Sequence, residues 1–153
     1  AQNILDIGNP TVGLVNIGEE EGKGNLLSQA AYKLLKENEN INFIGNIEGR
    51  ELLTGKADVM VCDGFTGNVI LKLGESIFEI AKQRHMDEDD YFKRLNYETY
   101  GGTPILGVDK PVIVGHGIST ATAFKNMILL AVKMIETRLL EKMKEKFVTE
   151  ENG

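Results

Sequence analysis

The feature that most constrains the fold is an alternation along the chain. Short apolar runs rich in β-branched residues are followed by longer segments with helical periodicity. This alternation is typical of βαβ units built around a mostly parallel sheet. A chain of 153 residues lies in the single-domain range. The sequence therefore predicts one α/β domain over residues 1–153, with a mostly parallel sheet flanked by helices.

The apolar patterns place individual elements along the chain. Strands are predicted over residues 12–17, 42–47, 57–62, 103–108 and 111–114. Helices are predicted over residues 25–37, 68–83 and 119–147. Ser119 is the expected N-cap of the last helix, because serine side chains accept hydrogen bonds from the first free N–H groups of a helix.

Composition excludes several classes of protein. The formal net charge of −6 argues against nucleic-acid binding, which needs clustered Lys and Arg. The single cysteine, Cys62, lies in an apolar run, so an internal disulfide is impossible and a catalytic cysteine is not expected. No apolar stretch approaches the roughly 20 residues of a membrane-spanning helix, and no signal peptide is expected. We expect a cytoplasmic protein and leave peripheral membrane contact open.

Candidate site residues follow the strands, because ligands of open α/β sheets bind beyond the carboxyl ends of the strands. Four such loops are predicted, over residues 18–25 (GEEEGKGN), 45–48 (GNIE), 63–68 (DGFTGN) and 115–119 (GHGIS). The DGFTGN loop joins an acidic residue, two glycines and two polar side chains at a helix start. Exposed N–H groups there favour an anion, with a plain structural turn as the alternative.

Two side chains in these loops have chemistry suited to anions. Lys23 lies between glycines as a flexible point charge, and His116 lies between glycines as a hydrogen-bond donor or acid. The chain has no Walker A, G-x-G-x-x-G or G-x-S-x-G sequence, so nucleotide cofactors and a serine nucleophile are disfavoured. No metal is expected, because the glutamates at 19–21 have no histidine or second carboxylate cluster nearby.

Five ordered blocks of sequence resemble one known family. The blocks GEEEGKGN, INFIGNIEGREL, ADVMVCDGFTGNVILK, YGGTPILGV and PVIVGHGIS resemble the acyl-carrier-protein:phosphate acyltransferase family of phospholipid synthesis. The resemblance implies a fold similar to isocitrate and isopropylmalate dehydrogenases and a homodimer. It also implies acyl phosphate formation from acyl-carrier-protein thioesters and inorganic phosphate, without a cofactor.

Joined to this resemblance, the loops suggest a distribution of roles. Lys23 and Asn25 would neutralise charge at the attacked carbon, and His116 would orient or protonate a group in the transition state. Asp63 would fix the geometry of its loop. The residues expected to bind phosphate or substrate are Asp63, Gly64, Thr66, Gly67, Asn68, Asn46, Gly117 and Ser119.

The sequence also departs from the family pattern. The chain resembles the C-terminal half alone, its segment between Lys82 and Tyr97 is shorter than the family's helical hairpin, and Ile118 stands where a small polar residue is expected. Two other functions therefore stay open. One is a phosphate acetyl- or butyryltransferase that uses coenzyme A, and the other is a non-catalytic fragment that dimerises through its last helix. A decarboxylating dehydrogenase is disfavoured, because paired aspartates for its metal are missing.

Overall fold

The structure is a computed structural model that describes the backbone of residues 1–151 and the side chains of residues 1–146. The chain forms two compact units, Ala1–Asn68 and Val69–Gly153. That the whole chain counts as one domain stays a prediction.

The first unit contains a small parallel sheet flanked by helices. Its elements are α1 (Gln2–Leu5), β1 (Thr11–Asn16), α2 (Leu26–Glu37), β2 (Asn42–Glu48), a 3₁₀ helix (Gly49–Glu51) and β3 (Val59–Val61). The strand order is β2-β1-β3, and both pairings are parallel. The α/β class and the three strands predicted first along the chain are thus confirmed.

The central strand β1 is buried between its neighbours. Val12 and Leu14 are buried, and Ile47 of β2 is fully buried. Gly13 allows this close packing, because a Cβ at that position would lie only 2.9 Å from the Ile47 Cγ2 atom. Helix α2 packs against β1 and β2. Together these contacts hold the carboxyl ends of the strands beside the start of α2.

The predicted GNIE loop is wrong, because residues 45–48 belong to β2. The register of β2 against β1 shifts between Val12, which pairs with Phe43, and Gly13, which pairs with Gly45. Gly45 accommodates this irregularity at φ 95°, a conformation that glycine adopts without steric cost. The strand therefore continues through the glycine that had suggested a loop.

The second unit combines helices with a two-stranded antiparallel sheet. Its elements are the main part of α3 (Gly64–Gln83), α4 (Asp90–Lys93), α5 (Tyr97–Tyr100), β4 (Gly102–Ile105), β5 (Val112–Gly115), α6 (Ala121–Glu136) and α7 (Leu139–Glu151). β4 and β5 pair with each other as an antiparallel sheet, so the mostly parallel arrangement holds for the first unit only. The dehydrogenase-like fold stays a prediction. Within the described part of the chain, no helix is long and apolar enough to cross a membrane.

The expected long C-terminal helix is divided in two. α6 ends at Glu136, and α7 begins at Leu139 after Arg138, whose φ of 52° is left-handed. The N-cap of α6 is Thr120, whose side chain accepts from the Ala123 N–H, so the assignment of Ser119 as N-cap is wrong. The N-cap thus lies one residue later than predicted, and the helix is interrupted without a glycine or proline to signal the break.

Helix α3 ends in a Schellman motif. The His85 N–H donates to the Lys82 carbonyl at 3.0 Å, and the Met86 N–H donates to the Ala81 carbonyl at 2.9 Å. His85 occupies the left-handed position of the motif at φ 55°, where glycine is the usual residue. Residues 85–86, which follow the predicted helix over residues 68–83, therefore form an ordered helix end, and His85 is part of it.

Candidate functional site

A cleft of about 590 Å³ opens in the first unit at the carboxyl ends of β1 and β3 and beside α2. Its volume lies within the roughly 300–1,000 Å³ typical of small-molecule sites. The apolar lining residues are Leu14, Val15, Ile17, Leu27, Ala31, Val61 and Cys62, and the polar side chains are Asn16, Asn25, Ser28, Asp63 and Thr66. The cleft therefore offers apolar walls with several polar groups, at the edge of the sheet where ligands were expected.

Asn25, an expected catalytic residue, is the N-cap of α2. Its Oδ1 atom accepts from the Ser28 N–H at 2.9 Å and from the Ser28 hydroxyl at 3.1 Å. Asn25 and Ser28 both line the cleft. These bonds fix the asparagine side chain at the helix start, with its amide group at the cleft wall.

Residues 64–68 of the DGFTGN segment begin α3, directly after Asp63, so the prediction that the segment is a loop is wrong. The Asp63 carboxylate accepts from the N–H groups of Phe65 at 2.9 Å and Thr66 at 3.0 Å, and from the Thr66 hydroxyl at 2.6 Å. These hydrogen bonds, first the one from the Thr66 hydroxyl, lower the pKa of Asp63 below its usual value. Asp63 therefore fixes the start of α3 with its own negative charge, while Gly64, Gly67 and Asn68 are helical.

Asn46 connects β2 to the loop that contains Lys23. Its Nδ2 group donates to the Glu20 carbonyl at 2.8 Å, and its Oδ1 atom accepts from the Asn16 Nδ2 group at 3.1 Å. Asn16 also donates to the Lys23 carbonyl at 3.1 Å. Only 3% of Asn46 is exposed. The structure thus gives Asn46, an expected ligand-binding residue, hydrogen bonds that hold the backbone of the loop.

Gly24 completes this loop at φ 87°. A Cβ there would lie 2.3 Å from the Asn16 Oδ1 atom, so no other residue fits without moving the asparagine. Asn16 itself was not a sequence-predicted site residue. An asparagine at the end of an otherwise apolar strand was the signal that could have found it, since a buried polar side chain needs a partner.

Replacing Asn46 by alanine is expected to destabilise the chain by about 1–3 kcal/mol, because it leaves buried polar groups without partners. The Glu20 carbonyl would lose its donor, and Asn16 would lose its acceptor. Urea unfolding followed by circular dichroism measures the change. Asn40→Ala is the matched control, because Asn40 is exposed. Equal unfolding midpoints for the two variants would contradict the structural role of the asparagine pair.

Lys23, an expected catalytic residue, is not among the described residues that line the cleft. Its side chain is about half exposed, and its Nζ atom lies 3.9 Å from the Glu20 carboxylate. The neighbouring Gly24 and Asn25 do line the cleft. The loop therefore holds the backbone of Lys23 in place while its long side chain keeps the freedom to reach a ligand.

Cys62 lies in the cleft wall directly before Asp63. Burial, and secondarily the charge of Asp63, raises the pKa of this thiol. A thiol with a raised pKa carries little of the nucleophilic thiolate at neutral pH. This environment agrees with the expectation that Cys62 is not a catalytic nucleophile.

His116, Gly117 and Ser119 belong to the second unit and form a turn after β5. The His116 carbonyl accepts from the Ser119 N–H at 3.0 Å and from the Ser119 hydroxyl at 2.6 Å. The His116 ring packs on the Tyr97 ring, with the centroids 4.9 Å apart and the planes tilted by 31°. The hydroxyl of Ser119 thus stabilises the turn, and Tyr97 sets the position of the imidazole.

Two residues of α3 reach the same imidazole. The Lys72 Nζ atom lies 3.2 Å from the His116 Nε2 atom, and the Glu75 carboxylate lies 2.8 and 3.0 Å from Lys72 Nζ. A Glu75 oxygen is also 3.8 Å from His116 Nε2. Lys72 and Glu75 were not sequence-predicted site residues, because only the tertiary structure brings them to a histidine 44 positions further along the chain.

One group of carboxylates has the spacing of metal ligands. Oxygens of Glu19, Glu48 and Glu51 lie within 4.8 Å of one another. Lys56 forms ion pairs with Glu19 and Glu51, and Arg50 forms one with Glu48. Because each of the three carboxylates already pairs with Lys56 or Arg50, the group is an ion-pair network, and we assign no metal to it.

The fold and the site define a class of protein. A parallel α/β unit with a mixed polar and apolar cleft at its strand ends is typical of α/β proteins that bind small ligands there. The chain belongs to the fatty acid synthesis protein family, whose model matches residues 1–90 and 85–142. This membership confirms the resemblance found in the sequence.

Curated relatives carry the name phosphate acyltransferase. The relative from Clostridium perfringens (strain SM101 / Type A) is 45% identical over 162 residues, covering 94% of this chain and 48% of the relative. The relatives from Dictyoglomus turgidum and Chlorobaculum parvum are 42% and 46% identical, covering 94% and 90% of this chain and 48% of each relative. The chain is thus similar to a group of enzymes named for acyl transfer to phosphate.

The matches also describe how the chain differs from its relatives. It spans about half the length of the curated relatives it matches. Each of these alignments extends over 162 residues, more than the 153 of this chain, so the relatives contain residues without a counterpart here. The two family matches meet at residues 85–90, directly after α3. This agrees with the expectation of a shortened segment between Lys82 and Tyr97.

Proposed function

We propose that this chain carries part of the active site of an enzyme that transfers a fatty acyl group from an acyl-carrier-protein thioester to inorganic phosphate. The observation that carries the proposal is the cleft of the first unit, whose apolar walls suit an acyl chain and whose polar groups suit a thioester carbonyl. In the reaction a phosphate oxygen attacks the thioester carbon, the C–S bond breaks, and acyl phosphate and the carrier thiol are released.

This reaction needs little acid–base help. Phosphate is anionic at neutral pH, and a thiol with a pKa of about 8.5 is a fair leaving group. Positioning of the reactants and stabilisation of the developing oxyanion therefore supply most of the rate. Residues that bind and orient are sufficient, which agrees with a site that has neither an activated serine nor a reactive cysteine.

The proposed roles rest on the chemistry of each side chain. Asn25 and the flexible Lys23 neutralise the oxyanion at the attacked carbon, and His116 orients or protonates a reacting group. Asp63 fixes the conformation of the start of α3 through its hydrogen bonds. Asn46 fixes the backbone of the loop that contains Lys23. The other proposed substrate-binding residues are Gly64, Thr66, Gly67, Asn68, Gly117 and Ser119.

The proposed partners are acyl-carrier protein, phosphate and a second copy of the chain, in the cytoplasm, with peripheral membrane contact left open. Helix α6 offers a surface for the second copy. It exposes apolar side chains at helical spacing, namely Phe124, Ile128, Val132 and Ile135. Exposed apolar stripes of this kind mark interaction surfaces. The same stripe favours the second candidate, a non-catalytic module that dimerises.

A direct assay tests the proposal. Acyl-phosphate formation is measured with the chain alone and then with the remaining half of a curated relative added, using acyl-carrier-protein and coenzyme A thioesters in parallel. Turnover with the carrier-protein thioester supports the proposal, and turnover with coenzyme A alone assigns the alternative substrate. No turnover in either preparation, with a dimeric mass in solution, would assign the non-catalytic module instead.

Lys23→Ala is expected to lower the rate of acyl-phosphate formation at least about tenfold, because the oxyanion would lose a charged partner. The measurement is kcat/KM in whichever preparation turns over. Lys33→Ala serves as the control, since Lys33 is an exposed lysine on α2. A loss below tenfold, or one equal to that of the control, would remove Lys23 from the catalytic residues.

A further inference from the structure

Lys72, Glu75 and His116 form a cluster that resembles an occupied anion site. The Glu75 carboxylate contacts Lys72 Nζ through both oxygens, at 2.8 and 3.0 Å, and one of these oxygens is 3.8 Å from His116 Nε2. A carboxylate that touches a lysine and approaches an imidazole occupies the position that a phosphate oxygen would take. All three side chains remain partly exposed, so solvent ions can reach them.

The hydrogen-bond chemistry of the cluster favours an incoming anion. The Lys72 Nζ atom lies 3.2 Å from His116 Nε2, and because an ammonium group can only donate, Nε2 accepts from Lys72 only in the tautomer that leaves it without a hydrogen. Tyr97 supports the ring from one face, and the Ser119 hydroxyl holds the backbone of the turn. With an anion bound, Lys72 and an imidazole N–H would each donate to it, and a charge-assisted bond such as that from the ammonium group is the stronger kind.

Glu75 is the competitor of such an anion. The Lys72–Glu75 pair is an i,i+3 contact on the surface of α3, and exposed pairs of this kind contribute little to stability. An anion that also contacts His116 can therefore displace the Glu75 carboxylate with little loss of free energy. The start of α3 is less suited to binding phosphate than this cluster. The Asp63 carboxylate there already accepts hydrogen bonds from the N–H groups of Phe65 and Thr66.

We propose that Lys72 and His116 form the binding site for the inorganic phosphate co-substrate, and that Glu75 occupies this site until phosphate displaces it. This proposal rests on the proposed function for the identity of the ligand. It adds Lys72 as a phosphate-binding residue and Glu75 as a residue that weakens phosphate binding.

Histidine NMR tests the site without turnover, because the chain has two histidines. Sodium phosphate is titrated into the protein at constant ionic strength while the ring signals are followed, and a His85→Asn variant assigns them. The His116 signal is expected to shift and saturate, and the His85 signal is expected to stay in place. Phosphopantetheine is titrated in parallel as a second compound that carries a phosphate group. A shift of the His116 signal with phosphopantetheine but not with inorganic phosphate would overturn the assignment of this site to the co-substrate.

The variants are expected to move the saturation midpoint in opposite directions. Lys72→Gln should weaken phosphate binding at least about fivefold, and Glu75→Gln should tighten it about threefold, as expected for gain or loss of an exposed charge pair. Lys72→Arg should restore binding, and Lys82→Gln on the same helix is the control. An unmoved His116 signal, an unchanged midpoint in Lys72→Gln, or weaker binding in Glu75→Gln would overturn the site.

The outcomes separate this inference from the proposed function. Phosphate binding at His116 without acyl-phosphate formation would leave the site standing and remove the proposed reaction. Acyl-phosphate formation with an unchanged KM for phosphate in Lys72→Gln would leave the reaction standing and remove the site.

Discussion

Gly101→Ala is expected to destabilise the second unit by about 3 kcal/mol or more, the sum of a steric overlap and an unfavourable backbone conformation. A Cβ at this position would lie 2.5 Å from the Met127 backbone nitrogen and 2.7 Å from the Ala123 carbonyl oxygen. Both atoms belong to the backbone of α6, which cannot rotate away as a side chain can. Gly101 also has φ 79°, which alanine adopts only with strain.

Gly107→Ala separates the two causes. Gly107 has nearly the same φ, 80°, but no atom lies within 4 Å of its would-be Cβ. This variant therefore measures the backbone strain alone. Urea unfolding followed by tyrosine fluorescence suits the comparison, because three of the four tyrosines lie in the second unit. Equal losses in the two variants would show that α5 and α6 do not approach each other as closely as described.

The sequence predicted the parallel sheet of the first unit well. Its strands are short and apolar, they alternate with a helix of clear periodicity, and local patterns of this kind carry the information needed. Asn25 at the start of α2 was also predictable, since asparagine is a preferred N-cap. The boundaries of these elements moved by one residue, or by two at the start of β3, because the N-cap and the apolar pattern indicated nearly the same positions.

The secondary-structure predictions were wrong where a residue type occurs commonly in two different conformations, or where it adopts a conformation that is unusual for it. The glycines of DGFTGN suggested a loop, although Asp63 followed by Thr66 three positions later is equally a helix start. The break at Arg138 had no glycine or proline to mark it, since there an arginine takes the left-handed conformation. Local sequence thus could not determine these positions, because each segment is compatible with more than one backbone conformation.

The candidate site was predictable only in part for the same reason. Strand-end loops identified Asn25, Asp63 and His116, since their position follows from the chain order of strands and helices. Lys72 could not be predicted as a site residue from the sequence, because it lies in the third turn of a helix and contacts His116 only in the tertiary structure. Asn46 was predicted as a site residue, and its hydrogen bonds to Asn16 and Glu20 give it a structural role that the sequence did not indicate.

His116→Ala is expected to lower kcat for acyl-phosphate formation about 100-fold, the scale seen when an oxyanion donor or a proton-transfer group is removed. The imidazole is fixed by Tyr97 and by the turn to Ser119, so its loss removes an oriented group and not a mobile surface side chain. The fold should survive, because the ring is about one-third exposed. Rates are measured at saturating phosphate, so that weaker phosphate binding does not enter kcat.

Two further variants decide what the imidazole does. His116→Asn keeps a hydrogen-bond donor but cannot exchange a proton, so a rate near wild type assigns orientation and a rate near alanine assigns proton transfer. His85→Asn is the matched control, because His85 caps α3 in a left-handed conformation that asparagine also tolerates. If His116→Ala lost less than tenfold, or no more than the control, His116 would take no part in the chemical step, and the groups that act in that step would lie in the cleft of the first unit.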